Sequence, residues 1–299
     1  MNENLKGLIR AVAENNAQRA KQFAKVIVDS DQTQANKGFC RNILNILQAS
    51  TMNFMELPYE IKGILYMEDA STSFNEGRYY LSYRENKVAD EVLGVYQTSL
   101  KLSEMGISYL NSLMLHGESG TGKTLFGRYL AYKLELPFVY MNFSNAISSY
   151  LGSTGKNISK AFEFIEKQKC VFMVDEVDAI GMKRGKEDVG EMARVVIGLM
   201  QAIDCVKNDT VIIGATNRLD MLDKALLRRF SIVHEVKKFS ESEMFSMVRK
   251  FLNNVEIKFY TEDVAQYCKI QNCQALVMND VVRAIAKSIR FGTEFKLSA

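Results

Sequence analysis

Three glycines, a lysine and a threonine stand in the run Gly117-Glu118-Ser119-Gly120-Thr121-Gly122-Lys123-Thr124, which fits the spacing G-x-x-x-x-G-K-[ST]. Glycine accepts the backbone angles that curl successive N–H groups toward one point, and such a concavity suits a polyphosphate. Lys123 would set a point charge against the β- and γ-phosphates, and the Thr124 hydroxyl is a hard oxygen able to ligate Mg²⁺. Glu118, Ser119 and Thr121 belong to the same loop. Leu125 follows in the helix that opens near Lys123, whose positive end would face the anion.

A second group of candidates sits where Val171-Phe172-Met173-Val174 runs into Asp175 and Glu176. A buried strand that ends in carboxylates places them at the C-terminal edge of a parallel sheet, where ligands bind. Asp175 is suited to holding Mg²⁺, and Glu176 to polarising a water for in-line attack on a γ-phosphate. Taken alone, the same pair would also suit a solvated strand end. Farther along, Val211-Ile212-Ile213 leads into Gly214-Ala215-Thr216-Asn217-Arg218. Asn217 is either a holder of the attacking water or an ordinary turn residue. Arg228 and Arg229 follow Leu222-Asp223-Lys224-Ala225-Leu226-Leu227 and precede Phe230. Adjacent arginines can form a solvated basic surface, or reach a neighbouring subunit's nucleotide and stabilise transition-state charge.

The elements that must carry these residues alternate. Val88–Ser103 reads as an amphipathic helix, Leu113–Leu115 as a strand, Leu125–Leu134 as a helix and Phe138–Met141 as a strand. A helix near Lys156–Glu166, a strand Val171–Val174, a helix Val189–Ala202 and a strand Val211–Gly214 continue the series. Strands separated by helices imply parallel β-α-β units, hence an α/β fold. The last stretch is helical: Ser240 and Glu243 form a capping box for Glu241–Leu252, Thr261 opens a second helix, and Leu276–Ile289 makes a third. Residues 1–50 carry helical stripes, among them Leu5, Leu8, Ile9 and Val12. Tyr79, Leu81 and Tyr83 alternate as a strand would, after a turn at Glu76-Gly77. The expected domains are 1–84, a mostly helical region for partner or substrate docking; 85–236, the α/β domain; and 237–299, a helical lid.

Composition narrows the classes. Of 299 residues, 47% are hydrophobic and 24% charged, which argues against disorder. The net charge of +3 is too mild to imply a nucleic-acid or membrane partner. No apolar run approaches the roughly 20 residues of a spanning helix. The opening residues lack the layout of a secretory signal. Five scattered cysteines without a C-x-x-C, and only two histidines, fit a reduced cytoplasmic setting without a zinc site. His116 and His234 read as structural, and Cys268 and Cys273 as small buried apolar residues.

In their order, Gly117–Thr124, Val171–Glu176, Ala215–Arg218 and Leu222–Phe230 resemble the AAA+ ATPases, and Asp220–Phe230 resembles the second homology region of the AAA clade. The resemblance covers roughly Val88–Ile289. It implies a P-loop NTPase parallel sheet with a C-terminal all-helical lid, behind a helical N-terminal region. It also implies Mg²⁺-dependent hydrolysis of ATP in a homo-oligomeric ring, expected to be a hexamer. Tyr150-Leu151-Gly152, followed by Lys156 and Phe162, resembles the aromatic–aliphatic–glycine loop that grips a polypeptide substrate in the channel of such rings. Asp204 stands where the family has an acid that signals across the subunit interface.

Departures qualify the resemblance. Glu118-Ser119 replace two common prolines, Cys205-Val206 replace a Gly-Phe, and Val233 stands about where a second trans-acting arginine is expected. Arg228 or Arg229 must then carry that task. Gln274-Ala275-Leu276 holds no lid-borne sensor arginine, as in the AAA clade. The expected work is unfolding or remodelling of a protein, with a separate protease or adaptor reached through residues 1–84. Nucleic acid is an unfavoured partner, and no membrane is implied. The rival readings are a nucleic-acid motor or loader and a nucleotide-sensing scaffold.

Overall fold

The computed structural model describes residues 3–13, 17–31, 33, 36–49, 57, 61, 63–147, 154–181, 189–269 and 273–297. The chain divides into two compact units, Met1–Pro58 and Tyr59–Ala299. In the first, α1 (Glu3–Ala13), α2 (Ala17–Ser30) and α3 (Lys37–Ala49) pack in succession, as the helical stripes predict. Gly7 lies against the Phe23 ring, so α1 and α2 approach more closely than a side chain there would permit.

The second unit carries β1 (Leu65–Glu68), α4 (Ala70–Ser73), α5 (Tyr83–Glu104), β2 (Asn111–His116), α6 (Lys123–Leu134), β3 (Phe138–Asn142), α7 (Phe143–Ile147) and α8 (Thr154–Ile165). It continues through β4 (Val171–Asp175), α9 (Val189–Asp204), β5 (Val211–Thr216), α10 (Lys224–Leu227) and β6 (Ile232–Glu235). The last three elements are α11 (Glu241–Asn254), α12 (Thr261–Cys268) and α13 (Gln274–Phe291). The strands form one sheet in the order β1-β3-β4-β5-β2-β6, parallel except that β1 runs antiparallel to β3. All six residues of β5 are buried, and so are five of the six in β2. Strands covered on both faces by helices need such unbroken apolar runs.

Leu113, Leu115, Phe126, Leu130, Phe138, Met173 and Ile213 share the main core. The lid has its own, built on Met244, Val248, Leu252, Val264, Tyr267, Val277 and Val281. At α11 the capping box is complete: Ser240 Oγ accepts from the Glu243 backbone N–H, and Glu243 Oε2 accepts from the Ser240 backbone N–H.

One expectation changes. Tyr79, Leu81 and Tyr83 form no strand. Tyr79 packs its ring on Phe74 and Tyr129 at centroid distances of 5.3 and 5.1 Å, and Ser82 N-caps α5, so Tyr83 is already helical. Local capping outweighs the alternation. The first compact unit ends at Pro58. Leu65–Glu68 pair with Phe138–Met141, which ties the segment ahead of α5 to the sheet.

Candidate functional site

The loop between β2 and α6 is held open by its own backbone. Gly117, Gly120 and Gly122 have φ of +145°, +78° and +100°. A Cβ at Gly117 would strike the Val236 carbonyl, and one at Gly120 the Cys273 thiol. Lys123, at the first turn of α6, is buried. Its ammonium donates to the Gly117 carbonyl at 2.8 Å, the Glu118 carbonyl at 3.0 Å and Asn217 Oδ1 at 2.8 Å. Burial lowers its pKa, against the opposing pull of Asp175 and Asp178. All three acceptors are neutral oxygens, so the positive charge stays available to an incoming phosphate.

Asp175 ends β4, and three donors, from α6, from β3 and from the next residue along the chain, fix its carboxylate. Thr124 Oγ1 donates to Oδ2 at 3.1 Å, Tyr140 Oη to the same oxygen at 3.2 Å, and the Glu176 backbone N–H to Oδ1 at 2.8 Å. Burial, then the neighbouring Asp175, pushes the Tyr140 phenol up to about 12, so it remains a donor at neutral pH. Glu176 has φ of +56°, a left-handed conformation rare for a residue with a side chain. Such strain concentrates at functional sites, and here it sits on the carboxylate that the sequence offers for activating water.

Asn217 follows β5, which lies between β4 and β2 in the sheet. That order sets it between the acids and the phosphate loop. Buried Asp178 supports it: Asp178 Oδ1 accepts from Thr216 Oγ1 at 2.7 Å and from the Asn217 backbone N–H at 3.4 Å. Of the two arginines, Arg229 is bound within its own chain, its Nε and terminal nitrogen donating to the two Asp204 oxygens at 2.8 and 2.7 Å. Arg228 is exposed, with no partner among the described residues. Tyr150, Leu151 and Gly152 lie outside the described residues. Phe162 on the following helix is buried, edge-on to Phe172 at 5.3 Å.

The lid meets the loop directly. The Ala275 backbone N–H donates to the Gly120 carbonyl at 3.1 Å, Gln274 Nε2 to Thr121 at 3.3 Å and to Lys237 at 2.9 Å, and Cys273 Sγ to Gly120 at 3.2 Å. Cys268 is buried as expected. Cys273 is not: it is half-exposed and caps α13 against the phosphate loop. Beside the loop opens a cavity of about 410 Å³, lined by Thr121, Leu125, Phe126, Tyr79, Phe239 and Met278 among others. Sequence reasoning missed Tyr140, Asp178 and Cys273 as members of the site. Each reaches it by a side-chain contact across elements, and only Asp178, three residues past Asp175, carried any local signal.

Thr124, Asp175, Glu176, Asn217 and Lys123 thus converge at the C-terminal ends of β2, β4 and β5. The arrangement can bind a polyphosphate, set a hard oxygen pair for a cation and present a carboxylate to water. Among the described residues no group of three or more His, Cys, Asp or Glu could hold a metal by itself, and no helix is long and apolar enough to cross a membrane.

Residues 113–238 match the model of the ATPase family associated with various cellular activities (AAA). An AAA family ATPase of Sinorhizobium fredii is 30% identical over 81% of this chain and 74% of its own length. The proteasome-activating nucleotidase of Methanosphaerula palustris is 35% identical over 50% of this chain, and the peroxisomal ATPase PEX6 of Candida glabrata 31% identical over 58%. Of those last two relatives the chain spans only 39% and 19%.

Proposed function

Because this chain belongs to the AAA family of ATPases, we propose that the ATP it hydrolyses powers the remodelling of a polypeptide within a ring of identical subunits. The observation that carries the assignment of the site is the convergence of Lys123 on Asn217 and of Thr124 on Asp175. Three segments distant in the sequence are joined there, beside the strained Glu176. Relatives named as a proteasome-activating nucleotidase and a peroxisomal ATPase support work on proteins over work on nucleic acid.

In this reading the N–H groups of residues 117–124 and the Lys123 ammonium hold the phosphates. Lys123 trades its loop carbonyls for phosphate oxygens. The Glu176 carboxylate takes a proton from the attacking water, which the Asn217 amide orients. Thr124 Oγ1 and Asp175 Oδ2 form an all-oxygen set 3.1 Å apart, which fits a hard cation. They would hold Mg²⁺, which supplies charge neutralisation on the phosphates. Tyr150 would grip the substrate, an aromatic ring giving a large apolar contact independent of substrate sequence.

The test is Glu176→Gln, which keeps shape and removes basicity. ATP should still bind while phosphate release falls about 10²-fold or more. Lys123→Ala should weaken binding itself. Hydrolysis of the Glu176→Gln variant at the parental rate would remove that residue from the mechanism. Stimulation of the ATPase by DNA rather than by an unfolded protein such as casein would move the nucleic-acid motor ahead.

A further inference from the structure

The last residues of the lid fold back along α13. Gly292, at φ of +61°, ends that helix in a left-handed turn. Past it, the Thr293 backbone N–H donates to the Ser288 carbonyl at 3.2 Å, and the Ser288 hydroxyl donates to the Thr293 carbonyl. Phe295 is 4% exposed and joins the lid's core with Tyr267 and Val281, while Glu294 and Lys296 on either side of it stay exposed. The buried ring thus pins residues 294–297 to the lid. Yet none of their backbone N–H or C=O groups has a hydrogen-bond partner among the described residues. A fixed run of unpaired main chain at a surface is a template for pairing with another chain.

Between this segment, α12 and α13 lies a groove of about 750 Å³, which shares no residue with the phosphate loop or with the cavity beside it. Three cationic residues line it, Arg283, Lys287 and Lys296, against two acids, Asp280 and Glu294. Both acids have partners already. Asp280 accepts from the Tyr267 hydroxyl and lies 3.5 Å from Arg283, and Glu294 lies 3.5 Å from the Tyr260 hydroxyl. Lys287 and Lys296 are exposed and have no acidic partner among the described residues. The charge left unspent in the groove is therefore positive, and it calls for an anionic occupant.

We propose that this groove docks an acidic segment of a partner protein, which lies along residues 294–297 as an added strand and sets its carboxylates against Lys287 and Lys296. Main-chain hydrogen bonds would give affinity whatever the segment's sequence, and the two lysines would choose an acidic one. The unpaired main chain favours a peptide over a nucleic acid. It offers donors and acceptors together, as a second peptide backbone does, whereas a phosphodiester backbone supplies acceptors alone and would leave the carbonyls of residues 294–297 unanswered. The groove lies outside the phosphate site, so the proposal stands independently of nucleotide hydrolysis.

Fluorescence anisotropy of the full chain, with ADP in excess, tests this with labelled probes of about ten units: a peptide alternating Glu with Val, a peptide alternating Lys with Val, and an oligothymidylate. The wild type should bind the acidic peptide about tenfold or more tightly than the basic one, since like charges oppose docking. N-methylation of the acidic peptide at alternate residues removes backbone donors and should weaken it about fivefold or more. Lys287→Glu combined with Lys296→Glu should reverse the preference between the two peptides while leaving ADP affinity unchanged. Should that chain not fold, Lys287→Gln combined with Lys296→Gln should weaken the acidic peptide about fivefold. Equal binding of the two peptides, no acidic binding at about millimolar peptide, or a preference unmoved by the lysine variants would overturn the inference. So would full affinity of the N-methylated peptide, or tighter binding of the oligothymidylate than of the acidic peptide.

Discussion

Asp175 shows how much of a site's precision comes from the donors that surround a carboxylate. Its Oδ2 receives both the Thr124 and the Tyr140 hydroxyls, and its Oδ1 the Glu176 N–H. The Tyr140 bond links neighbouring parallel strands, β3 and β4, so it fixes the carboxylate relative to the sheet rather than to the loop. Tyr140→Phe removes that donor and keeps the ring. A net hydrogen bond is worth about 1 kcal/mol, so the Mg²⁺ concentration needed for half-maximal stimulation of nucleotide binding should rise about fivefold. Nucleotide affinity in a chelator should stay unchanged, since the phenol bonds to Asp175 and, among the described residues, hydrogen-bonds to no part of the phosphate loop. A Mg²⁺ titration of binding reads both. An unchanged midpoint would mean that Thr124 and the Glu176 N–H orient Asp175 unaided.

At the scale of elements, the lid is the part whose stability can be probed without touching the phosphates. Helix α11 packs Met244, Met247, Val248 and Leu252 into the lid's core and begins at a complete capping box. Ser240→Ala removes the side-chain acceptor for the Glu243 N–H and should cost about 1 kcal/mol, measured as a lower denaturant midpoint with an unchanged slope. The lid also anchors the loop through Ala275, Gln274 and Cys273. Gly120→Ala would force a Cβ against the Cys273 thiol at a residue whose φ of +78° already disfavours a side chain. Nucleotide affinity should fall about tenfold in that variant, a cost of order 1–2 kcal/mol for strain at the loop. Full affinity would show that the lid contact is dispensable.

Across the whole molecule, the two arginines separate by what surrounds them. Arg229 makes a two-point ion pair with Asp204, which spends its planar fork inside its own chain. Arg228, next to it, is exposed and its side chain has no partner among the described residues, so in the proposed ring it is the candidate to meet a neighbouring subunit's nucleotide. If the ring forms as proposed, ATPase activity per subunit should rise with protein concentration as assembly proceeds. Arg228→Ala should abolish that rise while leaving binding at its own phosphate loop intact. Arg229→Ala should instead free the end of α9 and lower folding stability. Full specific activity in dilute, monomeric wild type, checked by sedimentation, would rule out a trans-acting arginine.

The sequence by itself determined what is written in local runs. Gly117–Thr124 must curl its backbone, Val171–Val174 must be buried before two acids, and Ser240 with Glu243 must start a helix, because each signal lies within a few residues of its consequence. The same locality accounts for the helical stripes of residues 1–50. Only the tertiary structure decided which segments share the sheet. The strand Leu65–Glu68 and the edge strand Ile232–Glu235 are short and half-exposed, too weak a pattern to announce themselves, and become strands through their partners. It also decided that Tyr140 would reach Asp175, that Asp178 would hold Asn217, and that Glu85 would be buried 3.6 Å from His234 on β6 rather than complete its own helix cap, although its Ser-x-x-Glu pattern is the same as that of Glu243. A side chain's choice among partners depends on distances between elements, and those are set by packing rather than by the order of residues along the chain.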